Sequence, residues 1–222
     1  MTKFKTTVDI LKHSNIDENS YLAGRWNIDE HNEYGYRTSL EMKENRDSIL
    51  CLGCSFTYGQ AVSIENSWPY ILGKKLDRPS YNLGKPGGSI DSSYRILNAW
   101  LPILKSKDVF ILNCFRRKEL YLSQHERFIP IGLGFPGFLA NTEYSLRTVL
   151  LMNDIQYNLD KQKTLKAIKS VCDDFYSKLH FIDYDDYDGS INPTSFIDLG
   201  TDGQHPGPKQ QEAYAEKFYD KI

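Results

Sequence analysis

The sequence predicts a three-layer α/β/α fold, with a mostly parallel sheet between two layers of helices. Three observations point there. The apolar runs at 49–52 and 109–112 show no polar alternation, as in strands buried on both faces. Segments of helical periodicity lie between such runs, which implies right-handed βαβ units. Glycine-bearing turns follow the first two strands, at 53–59 and 84–88. Together they predict a flavodoxin-like sheet of about five strands.

Residues 1–47 are polar and irregular. They are expected to form an N-terminal arm packed on the core, with residues 48–222 as the α/β domain. A helical turn is expected at 9–13. Trp26 and Tyr34-Gly35-Tyr36-Arg37 are expected across one end of the sheet, as a docked arm or as a substrate contact. The first strand is read at 48–52. Ser67-Trp68-Pro69 then reads as a helix start, with Ser as cap and Pro in the first turn, running to Leu76.

A short strand at 80–83 and the turn Lys85-Pro86-Gly87-Gly88-Ser89 come next. The following helix begins at Asp91 or Ser92 and ends near Leu104. Ile96, Leu97, Trp100, Leu101 and Leu104 fall at helical spacing, and Pro102 should bend or shorten the end. The third strand is read at 108–113. The cluster Arg116-Arg117-Lys118-Glu119 reads first as a solvated charged face and second as an anchor for an anionic substrate group. His125 and the glycine-rich segment 129–138 read as a lid or rim loop. A helix is expected within 143–159 and another over 161–179, with Leu165, Ile168, Val171, Cys172 and Phe175 as its buried stripe. A fourth strand at 180–183, a loop through 183–193 and a closing helix at 210–219 complete the chain.

Composition narrows the function. The chain has 222 residues, enough for one domain with a substantial core, and 40% of them are apolar, which argues against disorder. A net charge of −2 with mixed signs argues against bulk nucleic-acid binding. No apolar run approaches the roughly 18 residues of a membrane span, and the first residues lack the apolar core of a signal peptide. A cytoplasmic location is expected. The 15 Tyr and 11 Phe suit a carbohydrate-stacking surface or a generous core. Cys51-x-x-Cys54 lacks a second Cys pair or a nearby His for a metal set, and Cys51 lies inside a strand. Structural thiols, no metal and no cofactor are therefore expected.

Two stretches carry candidate chemistry. Gly53-Cys54-Ser55-Phe56-Thr57-Tyr58-Gly59 sets a Ser at the carboxyl end of the first strand, where open α/β sheets form their sites. Asp202-Gly203-Gln204-His205-Pro206 supplies an acid three residues before a His. There Asp202 would hold one ring nitrogen and leave the other to take a proton from Ser55. His13, His31, His125 and His180 lack an equivalent Asp-and-turn context. The G-x-S-x-G elbow of α/β-hydrolases is absent.

These blocks resemble those of the SGNH (GDSL-type) hydrolases. The stretch 53–59 resembles the first block, usually Gly-Asp-Ser followed by a turn. Asn82-Leu83-Gly84-Lys85-Pro86-Gly87-Gly88-Ser89 resembles the second, whose Gly donates a backbone N–H, and 202–206 resembles the last. With Asn32-Glu33-Tyr34-Gly35-Tyr36-Arg37, which some members place before the first strand, the likeness spans 32–218. Cys54 stands where the family has Asp. The family's Gly-x-Asn-Asp block is replaced by Asn113-Cys114-Phe115-Arg116.

The resemblance implies an ester-cleaving serine hydrolase with a Ser55–His205–Asp202 triad. Its oxyanion hole would be built from the N–H groups of Ser55 and Gly87, with either Asn113 as a side-chain donor or Arg116 or Arg117 supplying the missing positive group. Arg116 and Arg117 would be candidate substrate contacts. The resemblance allows deacetylation of a saccharide, or a thioesterase, lipase or arylesterase activity, on a small-molecule or carbohydrate ester. A binding or acyl-transfer module on the same fold is the alternative. A nucleotide site is the weakest reading, because neither a Walker Lys nor G-x-G-x-x-G stands at Gly53.

Overall fold

The structure is a computed structural model that describes residues 31–114, 117–122, 127–132, 154–184 and 196–222. The expectations for 9–13, Trp26, His125 and 133–138 lie outside the described residues. The central sheet has four strands: β1 (Ile49–Gly53), β2 (Ser80–Asn82), β3 (Asp108–Asn113) and β6 (Lys178–Asp183). Their order is β2-β1-β3-β6, and every pairing is parallel. About five strands were expected; four are found among the described residues. A separate antiparallel pair, β4 (Arg117–Leu122) with β5 (Arg127–Gly132), follows β3.

Alternation along the strands explains the three layers. Leu50, Leu52, Val109 and Ile111 face one side, against α3 (Ile90–Leu104) and α4 (Asp154–Asp174). Ile49, Cys51, Phe110 and Leu112 face the other, against α2 (Trp68–Leu76) and α5 (Pro208–Tyr219). Successive strand side chains point to opposite faces, so strands with helices on both sides must be apolar throughout. Each fully buried aliphatic side chain contributes about 1.5–3 kcal/mol. A single-turn helix, α1 (Ser55–Tyr58), links β1 to the loop before α2.

Several local expectations change. Ser67 precedes α2, but its hydroxyl donates to the Ile64 carbonyl at 2.6 Å, and Gln211 Oε1 accepts the Trp68 N–H instead. The start of α3 is capped by Ser89, in a reciprocal box with Ser92, one residue before the expected start. The same helix continues through Pro102 to Leu104 and ends on Lys105 in the left-handed region. Leu179 belongs to β6 rather than to the preceding helix, which stops at Asp174. Residues 129–132, read as part of a loop, form β5.

The arm residues 31–47 hold no helix or strand but pack on the α3 face. Tyr36 is buried, and its hydroxyl accepts the Trp100 indole N–H at 3.1 Å. Tyr81 hydroxyl donates to the carbonyls of Glu41 and Lys43. No helix among the described residues is long and apolar enough to cross a membrane.

Candidate active site

Ser55 sits where β1 turns into α1, at the carboxyl edge of the sheet, and its residue surface is 5% exposed. Gly53 makes the turn possible. Its φ is +149°, and a Cβ there would lie 2.3 Å from Thr57 Oγ1 and 2.5 Å from the Leu112 carbonyl. Cys54 takes the cap position in extended conformation, and Ser55 opens the helix. The Ser55 N–H is thus one of the donors a first helical turn leaves without an intrahelical acceptor.

The second block lies against the first. Asn82 Nδ2 donates to the Tyr58 carbonyl at 3.3 Å, and Asn82 Oδ1 accepts the Gly84 N–H at 3.0 Å. A Cβ on Gly84 would lie 2.3 Å from the Tyr58 nitrogen, so only glycine permits this approach. The Lys85 N–H donates to the Gly53 carbonyl, and the Gly88 N–H donates back to the Lys85 carbonyl. Gly87 lies inside the turn so closed.

Asp202 and His205 are brought together. Asp202 Oδ2 is 2.6 Å from His205 Nδ1, while Oδ1 accepts the N–H groups of Gln204 and His205. Burial works to raise the Asp202 pKa, but those two N–H groups and the imidazole outweigh it and hold the carboxyl below its ordinary value. The loop carrying them is docked beside α1. Thr201 donates its N–H to the Ala61 carbonyl at 3.1 Å, and the His205 ring meets Phe56 edge-on, with centroids 6.2 Å apart. Gln211, from α5, donates to the Phe56 carbonyl at 3.0 Å and so ties the closing helix to the residue after Ser55. Among the described residues no hydrogen bond joins Ser55 Oγ to His205.

Asn113 ends β3 and is buried, and its amide donates to Asp183 Oδ1 at 2.9 Å. One N–H of the amide is therefore committed to the neighbouring strand. Arg116 lies outside the described residues. Arg117 and Glu119 are not on a solvated face: Arg117 is buried, and the Glu119 side chain is 3% exposed. Lys118, between them, pairs with Asp160. Polar residues that alternate along a strand can all point inward on one side, which the charge run alone does not reveal.

The thiols of Cys54 and Cys114 lie buried under this edge. Burial pushes the Cys54 thiol up. A hydrogen bond with Cys114, the Arg117 charge, the Phe56 N–H and the Ser55 hydroxyl outweigh that effect and bring it to about 7. Cys114 is pushed up by burial and by its neighbour. All four cysteines are free, and no group of three metal-type ligands is assembled among the described residues.

His180 has an acidic partner that its sequence context hid. Its Nε2 is 2.9 Å from Asp108 Oδ1, and Arg78 holds the other carboxylate oxygen at 2.6 Å. Asp108 opens β3, so this pair lies at the amino edge of the sheet, away from Ser55. Gln211 was unseen in the sequence, and Arg37 was named there only as part of a docked arm or substrate contact. Arg37 donates to the carbonyls of Tyr58, Gly59 and Val62 and so holds the loop after α1.

No protein-family model matches the chain, and no curated protein matches it. Solved structures similar to it include the psychrotrophic esterase EstA from Pseudoalteromonas sp., inhibited by monoethylphosphonate. That match is 15% identical with a TM-score of 0.47, over 78% of this chain and 95% of that one. Another is a Clostridium thermocellum family 3 carbohydrate esterase, 15% identical with a TM-score of 0.37, over 79% of this chain and 96% of that one.

Proposed function

We propose that the chain is a serine hydrolase that cleaves an ester through an acyl-enzyme. The observation that carries the reading is the Asp202–His205 pair, docked through Thr201 and Phe56 beside the turn that presents Ser55. His205 Nδ1–H donates to Asp202, which leaves Nε2 as the proton acceptor. Ser55 Oγ attacks the acyl carbon as His205 takes its proton. The Ser55 and Gly87 N–H groups receive the oxyanion, with Asn113 as a third donor through its second amide hydrogen. His205 then gives the proton to the leaving alcohol, and water repeats the sequence on the acyl-enzyme. Within that class we propose a small acyl group on a carbohydrate as the substrate, with thioesters, lipid esters and aryl esters as the alternatives.

The hydrogen bond from Asn113 to Asp183 favours a second reading, in which a reduced oxyanion hole leaves a binding or acyl-transfer module. Turnover of p-nitrophenyl acetate separates the two. The hydrolase reading expects turnover that falls at least about 10⁴-fold in Ser55→Ala and in His205→Ala. Pure, folded protein without turnover above those variants would contradict it.

A further inference from the structure

We infer that Glu119 is a positioning residue for the candidate oxyanion turn: its buried carboxylate holds both ends of the segment from Lys85 to Ser89 that contains Gly87. The inference rests on the hydrolase reading and adds to it a residue from β4 that the sequence offered only as part of a charged cluster.

Among the described residues the carboxylate accepts four hydrogen bonds. Oε1 takes Lys85 Nζ at 2.6 Å, Arg95 Nη2 at 2.9 Å and Ser92 Oγ at 3.0 Å, and Oε2 takes Arg95 Nε at 2.7 Å. Lys85 opens the turn. Ser89 closes it as the cap of α3, and its N–H donates to Ser92 Oγ, the same hydroxyl that donates to Glu119. One end is thus held directly and the other through a single intermediate. The side chains of Lys85, Arg95 and Glu119 are 6%, 13% and 3% exposed.

A buried ion cluster is a poor device for stability alone, because desolvation offsets most of the Coulomb attraction. What four bonds on one planar carboxylate supply is geometry. An oxyanion donor works only if its N–H is already aimed, within a few tenths of an ångström, where charge develops. Without the carboxylate, Lys85 and Arg95 would be two buried like charges, and the Lys85 side chain and the Ser92 hydroxyl, one at each end of the turn that contains Gly87, would lose their common acceptor.

The test compares Glu119→Gln, Ser92→Ala and Asp108→Asn with the native protein. Each is assayed for p-nitrophenyl acetate kinetics, for the rate at which a fluorophosphonate labels Ser55, and for thermal stability. Asp108→Asn breaks a half-buried ion pair at the far edge of the sheet and serves as the structural control. Deleting an oxyanion donor costs about 100- to 1,000-fold, so displacing one should cost about 10- to 100-fold. Glu119→Gln is expected to lose that much in kcat and labelling rate with KM nearly unchanged. Ser92→Ala, which leaves no buried charge unpaired, should lose less in the same direction. Asp108→Asn should lower the Tm without changing kcat. Native kcat and labelling in both Glu119→Gln and Ser92→Ala would overturn the inference, as would an equal loss of kcat in Asp108→Asn. If Glu119→Gln does not fold, Ser92→Ala decides. Native protein that neither turns over nor labels would overturn the hydrolase reading and this inference with it.

Discussion

Asp202 Oδ2 lies 2.6 Å from His205 Nδ1, and the second oxygen of the same carboxylate caps the N–H groups of Gln204 and His205. The carboxylate therefore fixes the ring's tautomer and the shape of its own turn together. Asp202→Asn keeps the shape and loses the charge. It is expected to lower kcat about 10³- to 10⁴-fold with little change in Tm, read by steady-state kinetics and thermal melting.

Asn113→Ala tests the proposed third oxyanion donor. Its kcat should fall about 100-fold while KM changes little, the mark of a contact made mainly in the transition state. An unchanged kcat, beside an Arg116→Ala variant whose KM rises for anionic esters only, would assign that role to arginine.

Gly84→Ala should be among the most damaging single changes. The added methyl would lie 2.3 Å from the Tyr58 nitrogen and 2.8 Å from the Thr57 carbonyl carbon, both backbone atoms that cannot swing aside. Overpacking of this kind costs about 1–3 kcal/mol, so a clear drop in Tm is expected. A native Tm would mean that the two blocks do not touch as described.

Glu119 predicts the acid limb of stability. Burial works to raise its pKa, but the Lys85 charge and the Arg95 hydrogen bond outweigh it and lower the pKa from 4.5 to about 2. Its stabilising contribution is therefore fully present above pH 4.5 and is lost as pH falls from 4.5 to 2. A difference of that size is worth about 3 kcal/mol. Lys85 shifts the other way in effect: its burial, with Arg95 nearby, lowers its pKa despite Glu119. The cluster's net worth is thus less than the carboxylate's share. Urea unfolding at pH 2.5 and pH 6 should show a smaller difference in Glu119→Gln than in the native protein.

What the sequence revealed follows from the physics of burial. β1 and β3 are continuous apolar runs because helices cover both faces, and such runs are hard to mistake. The stripe of Leu165, Ile168 and Cys172 locates α4 although the helix begins earlier and ends sooner than its periodicity implied. Ser55, Asp202 and His205 were legible because turn residues surround them in sequence. The β4–β5 hairpin was not. Arg117 and Glu119 read as surface charge, and only three-dimensional neighbours such as Lys85 and Arg95 make their burial tolerable. Gln211 and His180 carried no local signal, and the cluster around Arg37 did not reveal what Arg37 holds, since their partners lie 21 or more residues away.

Cys54 is the rival nucleophile beside Ser55, with a thiol brought to about 7 but only 1% exposed and turned into the α2–α5 core. Peptide mapping by mass spectrometry after fluorophosphonate treatment distinguishes the two most directly. The account predicts one adduct per chain, on Ser55, retained in Cys54→Ala and lost in Ser55→Ala and His205→Ala. An adduct on Cys54, or a native protein that stays unlabelled, would contradict it.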